Sequence, residues 1–174
     1  SAFRACETVP PSDHYFLNST PREVRVKVVR KLWSQLSSSL PSEEVCVRAF
    51  ESRCDLLRVL ICGPRETPYQ YMVFLFDVQL TENYPSEPPL VHFHSHGERL
   101  NPNLYENGKV CLSLLGTWSG PGWDAANSTL LQLIVSIQGL VLVSNPYFNE
   151  PGNDKKGAQK ESQLYNESAR LLAI

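Results

Sequence analysis

The chain has five cysteines, Cys6, Cys46, Cys54, Cys62 and Cys111, and the last sits in unusual company. It lies in NPNLYENGKVCLSLLGTW, residues 101–118, three residues after the turn pair Asn107-Gly108. A cysteine presented beside a turn is placed to act as a nucleophile. The opposing reading is packing, because a free cysteine behaves as a small hydrophobe. Asn101 and Asn103 stand upstream and bring side-chain amides, which can hold a turn or donate to an oxyanion. No histidine is near Cys111 in sequence, so a papain-like Cys-His pair is not indicated.

Two further groups have chemistry in reach. His92, His94 and His96 alternate in HFHSH, and a strand would put all three on one face. That spacing could ligate zinc or copper, but no carboxylate or cysteine lies nearby as a fourth ligand. We therefore expect no metal, and a polar face with Phe93 turned inward. Arg22, Arg25, Lys27, Arg30 and Lys31 cluster against a single acid, Glu23. Such runs are usually solvated surface, yet this imbalance marks a candidate docking patch.

The elements that must carry these groups follow from the pattern. The 174 residues, 42% hydrophobic and 20% charged, describe one globular domain over 20–174 behind an N-terminal extension, 1–19. The net charge of -2 leaves no electrostatic footprint for nucleic acid. Thr20, Pro21 and Glu23 form a capping box before a helix in which Val24, Val28, Leu32 and Leu36 recur every four residues. VCVRAF, DLLRVLICG, YMVFLFDVQL and the stretch Leu90–His94 read as four strands of an antiparallel meander, too closely spaced for helices between them. A helix capped near Asn127 or Ser128 and stopped by Asn145-Pro146 is apolar nearly all round, so it should be buried. Its apolar run is too short and interrupted to span a bilayer, and no membrane partner is expected. A last helix begins near Ser162, with Leu164, Leu171 and Leu172 on one side. Strands followed by helices make the fold class α+β. The odd number of cysteines, without paired spacing, fits a reduced intracellular setting. A start at Ser1 reads as a piece of something longer.

Three motifs in order resemble the ubiquitin-conjugating enzymes over about residues 21–151. They are GPRETPYQYMVFLFDVQL, NYPSEPPLVHF and the segment with Cys111 eight residues after Asn103 and Trp118 seven further on. The SLLGTW run and the PYFNEPG ending are most similar to the large hybrid enzymes that join conjugation and ligase activity in one polypeptide. The resemblance implies a UBC-like fold and a thioester nucleophile at Cys111, which takes ubiquitin from an activating enzyme and passes it to lysines of protein substrates. Asn103 would hold the loop or stabilise the oxyanion. Asn149 or Glu150, one of the two, would gate the lysine. Arg22, Arg25, Lys27, Arg30 and Lys31 would dock the activating enzyme. No cofactor is implied, since ATP is used by the activating enzyme, and the setting would be cytoplasm or nucleus. Asn101 stands where the family has His, and Ser86 where many members carry a bulky ligase-binding Phe, which argues against ordinary RING-ligase docking. Tyr71-Met72 replaces a Gly-Gly pair, so that hairpin must bend differently. The insert 119–127 has no role that can be derived. An inactive ubiquitin-binding relative is the alternative, though such relatives usually lack the cysteine.

Overall fold

The computed structural model describes residues 2–41, 43–154 and 157–172. Its centre is a mixed five-stranded sheet in the order β1-β2-β3-β4-β5. The strands are β1 Phe3–Cys6, β2 Val45–Phe50, β3 Arg53–Cys62, β4 Val73–Gln79 and β5 Leu90–Phe93. The expected antiparallel meander is β2 to β5. The strands form because side chains alternate. Val47, Val59, Phe76 and Phe93 stand opposite one another across the sheet and are buried in one core row. The other face carries Arg48, Arg58, Asp77 and His92 in register.

The N-terminal extension is not a loose tail. Residues 3–6 form β1, parallel to β2, with Phe3 opposite Val47. The chain then crosses the polar face of the sheet. Arg53 Nη1 donates to the Leu17 carbonyl at 3.1 Å, and Gln79 Nε2 donates to the Thr20 carbonyl at 3.2 Å.

Helix α1 spans Val26–Ser39 and buries Val29, Leu32 and Leu36. The expected capping box does not form: the cap position is Arg25, with no side-chain hydrogen bond. The segment before it is held elsewhere, because the Arg22 N–H donates to buried Asp55 at 3.1 Å. Tertiary bonds to the sheet outweigh the local cap.

Helix α2 spans Leu130–Ser136 and continues as one π turn, Ile137–Val141. Its cap is Thr129, whose hydroxyl accepts from the Gln132 N–H at 3.1 Å, one residue beyond the expected position. The expectation of burial all round is corrected: Val135 and Leu140 are 45% and 64% exposed. A 3-10 turn, Pro146–Asn149, and helix α3, Gln159–Leu171, complete the chain. α3 buries Ser162 and Ala169, while Leu164, Leu171 and Leu172 point outward. Among the described residues no helix is long and apolar enough to cross a membrane.

Candidate active site

The cysteine segment runs outside the sheet and is built from hydrogen bonds to side chains. Asn101 is fully buried and its amide donates at 2.8 Å both to the Tyr69 hydroxyl and to the Val141 carbonyl on the π turn. Its Oδ1 accepts from the Asn103 N–H at 2.8 Å. Tyr69 passes the chain on, donating to the Leu100 carbonyl at 3.1 Å, and burial pushes its phenol pKa up, so the proton stays for that bond. This Asn therefore fastens the segment to the π turn that continues α2 and to the β3–β4 connection.

The Asn107-Gly108 turn is tight. The Gly108 N–H donates to the Tyr105 carbonyl and the Tyr105 N–H to the Lys109 carbonyl, both at 3.0 Å. Gly108 has φ +85°, and a Cβ there would lie 1.9 Å from the His92 ring. Only glycine satisfies both conditions.

Cys111 follows, a free thiol only 2% exposed. Two residues occupy every polar group of the peptides on either side of it. The Cys111 N–H donates to the Asn103 carbonyl at 2.8 Å, and the Asn103 side-chain amide donates back to the Cys111 carbonyl at 2.9 Å. Thr117 Oγ1 donates to the Val110 carbonyl at 2.7 Å and accepts from the Leu112 N–H at 3.0 Å. The N–H groups of Cys111 and Leu112 are thus both engaged and cannot form a main-chain oxyanion hole. The Asn103 amide uses one hydrogen on Cys111 and has a second to give.

A groove of about 220 Å³ runs beside this segment, lined by Asn103, Leu112, Ser113, Trp118, Leu140 and Asn149 among others. Asn149 lies on its wall. Its amide donates to Asn103 Oδ1 and to the Leu140 carbonyl, each at 3.1 Å, and among the described residues no donor to its own Oδ1 is seen. Glu150 does not line the groove: Arg99 Nη2 meets it at 3.2 Å, and the guanidinium lies 4.2 Å over the Tyr105 ring. Of the two gate candidates, Asn149 is joined to the cysteine's own network.

The basic residues do not all share one helix face. Lys27, Arg30 and Lys31 are exposed on α1 and Arg25 caps it, but Arg22 precedes the helix and pairs with Glu82 at 3.6 Å. Arg25, Lys27 and Lys31 border a pocket of about 470 Å³ between α1, Tyr84-Pro85 and residues 125–129. The insert 119–127 forms part of that wall because Trp123 Nε1 donates to the Pro85 carbonyl at 2.7 Å. Neither Thr117 nor Trp123 was expected from sequence as a positioning group. A threonine and a tryptophan in a turn-rich stretch carry no signal until the loop folds back.

The three histidines do not converge. His92 stacks on Tyr15 with ring centroids 3.5 Å apart, His94 Nε2 lies 2.5 Å from Asp77, and His96 is exposed. Among the described residues no group of His, Cys, Asp and Glu is arranged to hold a metal.

The site can be set beside known proteins. The family model described as "Ubiquitin-conjugating enzyme" matches residues 27–173. "Probable ubiquitin-conjugating enzyme E2 24" of Arabidopsis thaliana is 49% identical over 175 residues, covering 92% of this chain and 19% of the relative. "Putative ubiquitin-conjugating enzyme E2 38" of the same plant is 47% identical, covering 94% of this chain and 53% of the relative. The "Dual E2 ubiquitin-conjugating enzyme/E3 ubiquitin-protein ligase BIRC6" of Homo sapiens is 50% identical over 152 residues, covering 80% of this chain and 3% of that protein. The chain thus spans at most about half the length of these relatives. With the family match covering residues 27–173, all but β1, the segment that crosses the sheet and the first residue of α1, this chain belongs to the ubiquitin-conjugating enzymes.

Proposed function

We propose that this chain accepts ubiquitin as a thioester on Cys111 from an activating enzyme and transfers it to substrate lysines, as the conjugating domain of a longer hybrid conjugating and ligase polypeptide. The observation that carries the reading is the held cysteine: its flanking peptides are fixed by Asn103 and Thr117 at 2.7–3.0 Å, beside a groove lined by Asn103 and Asn149.

In the first step Cys111 Sγ attacks the thioester carbonyl carried by the activating enzyme. A tetrahedral intermediate forms, the activating enzyme's thiolate leaves, and the Cys111 proton passes to solvent. Thiol exchange of this kind needs no strong base. In the second step a neutral lysine amine attacks the new thioester, Cys111 leaves as thiolate, and the amine gives up its proton. The developing oxyanion needs a donor, and the second Asn103 amide hydrogen supports that assignment, since the neighbouring backbone donors are engaged. A free lysine has a pKa of about 10.4, so an acceptor that orients it and a drier surrounding help it react. Asn149 Oδ1 is suited to accept from it. No cofactor enters these steps. ATP is used upstream by the activating enzyme.

The pocket bordered by Arg25, Lys27 and Lys31, with Arg30 beyond it, is the proposed dock for the activating enzyme, at the Val26 end of α1. Ser86 is exposed beside Pro85 and offers no bulky apolar contact, so ordinary RING ligases are expected to add little. Five free thiols support a reducing compartment, cytoplasm or nucleus.

One observation favours the alternative, an inactive ubiquitin-binding module: the 2% exposure of Cys111. A gel without reductant separates the two. With activating enzyme, ATP, magnesium and ubiquitin, the wild type should form a reductant-sensitive adduct and Cys111→Ser a reductant-resistant one. Absence of any adduct from folded protein would leave the binding module.

A further inference from the structure

We infer that Thr117 is a positioning residue for the Cys111 nucleophile, acting through the two peptide groups that Asn103 does not hold. Asn103 is bonded to the N–H and C=O of Cys111 itself. The carbonyl before the cysteine and the N–H after it both go to one atom, Thr117 Oγ1. The Thr117 N–H closes the loop by donating to the Leu112 carbonyl at 3.2 Å. The 3-10 turn Ser113–Leu115 and Gly116, at φ +66°, reverse the chain so that this hydroxyl returns five residues to the cysteine's side.

A hydroxyl is required because one group must donate to a carbonyl and accept from an N–H at once. Valine has the same shape and can do neither. Thr117 is an exposed residue, so Thr117→Val removes the hydroxyl's bonds to Val110 and Leu112 without emptying a core. The loop would then sample orientations in which Sγ is off line for acyl transfer, and a misplacement near 1 Å costs about a hundredfold in rate.

Three measurements test this on the chain as it stands. In the wild type, the Leu112 amide should exchange with deuterium slowly, although it lies in no strand. Exchange as fast as that of the surrounding loop would overturn the proposal without any variant. Next, iodoacetamide labelling is followed by mass at Cys111 alone. Thr117→Val should label about tenfold faster, because the buried thiol opens more often, and Thr117→Ser should match the wild type. Equal labelling of all three would also overturn it.

The third rests on the thioester reading above. Thr117→Val should discharge ubiquitin to free lysine about ten- to a hundredfold more slowly at saturating lysine, with the lysine KM unchanged and Thr117→Ser restoring the rate. Slower transfer by Thr117→Val at a temperature well below its thermal midpoint is a change that a simple loss of stability does not give. If the wild type forms no thioester, the proposed activity fails, while exchange and labelling still decide whether Thr117 holds the cysteine. Wild-type transfer by Thr117→Val, or failure of Thr117→Ser to restore it, refutes the positioning role.

Discussion

Asn149 and Glu150 are adjacent, yet their surroundings assign them different work. Glu150 is paired with Arg99, and both side chains are about 40% exposed, where such an ion pair contributes little. Asn149 is tied to Asn103 and lines the groove, with no donor to its Oδ1 among the described residues. Loss of one hydrogen bond from the transition state, about 1.4 kcal/mol, lowers a rate tenfold. Asn149→Ala should therefore slow discharge to free lysine about tenfold while charging by the activating enzyme stays within about twofold. Glu150→Ala should leave both within about twofold. Single-turnover discharge of pre-charged protein reads this directly, and a loss confined to Glu150→Ala would transfer the gate to the acid.

The elements differ in how far they can be read ahead of the structure. The meander was legible because apolar side chains recur at every second position, with Val45, Val47 and Ala49 inward on β2 and Phe74, Phe76 and Val78 inward on β4. The turn before Cys111 was legible from Asn107-Gly108 for a local reason, since a φ of +85° strongly favours glycine. Gly108→Ala tests the turn. The left-handed backbone costs about 1–2 kcal/mol for a residue with a Cβ, and the His92 ring must also move. Urea unfolding should show a loss of at least about 1 kcal/mol, and an unchanged midpoint would mean that the loop has another conformation to adopt. Other elements were hidden because their causes are not local. β1 is four residues long and takes its pairing from a strand some forty residues away. The start of α1 was misplaced because Asp55 and Gln79 bind the segment that a capping box would have used. In α3 the leucines suggested an apolar face, but close packing is made by Ser162 and Ala169. Cys111 and Asn103 stood out as residue types. Thr117 did not, because its meaning depends on a reversal that no spacing rule announces.

At the scale of the whole molecule, residues 13–22 lie as a strap over the polar face of the sheet, fastened at two buried carboxylates. Asp55 takes two bonds from Arg53, at 2.9 and 3.0 Å, and one from Gln79 at 2.9 Å. Asp77 takes two from Arg58, at 2.7 and 2.9 Å, the Tyr15 N–H at 2.8 Å and His94 at 2.5 Å, while Arg58 also reaches Asp13 at 2.8 Å. His14 is buried beside Asp77, at 3.5 Å, and both its ring nitrogens are used in the neutral form. Nε2 donates to the Leu57 carbonyl at 3.1 Å, and Nδ1 accepts from the Phe16 N–H at 3.3 Å. A second proton on Nδ1 would destroy that last bond. Burial is the main cause that holds the His14 pKa below 6.5, against the pull of Asp77, and burial with the neighbouring His94 does the same for His92. Burial opposes ionisation of Asp77 and Asp55 too, but their hydrogen bonds, those from Arg58 and Arg53 foremost, overcome it and keep both below the usual carboxylate value. The signs then run the same way at two pH ranges. Below about pH 6.5 the unfolded chain takes up protons that folded His14 and His92 refuse, so stability falls as pH drops toward their folded pKa values. The carboxylates contribute stability that is present above about pH 3.8 and is lost as pH falls through their lowered folded values. The thermal midpoint should therefore decline from pH 7.5 to 5.5, well before acid unfolding. His14→Gln, which cannot charge, should start from a lower midpoint at pH 7.5 and decline less steeply, with His92 supplying the remaining slope. A midpoint that is flat from pH 7.5 to 5.5, or an equal slope in His14→Gln, would show that the strap is held without reference to the protonation of His14.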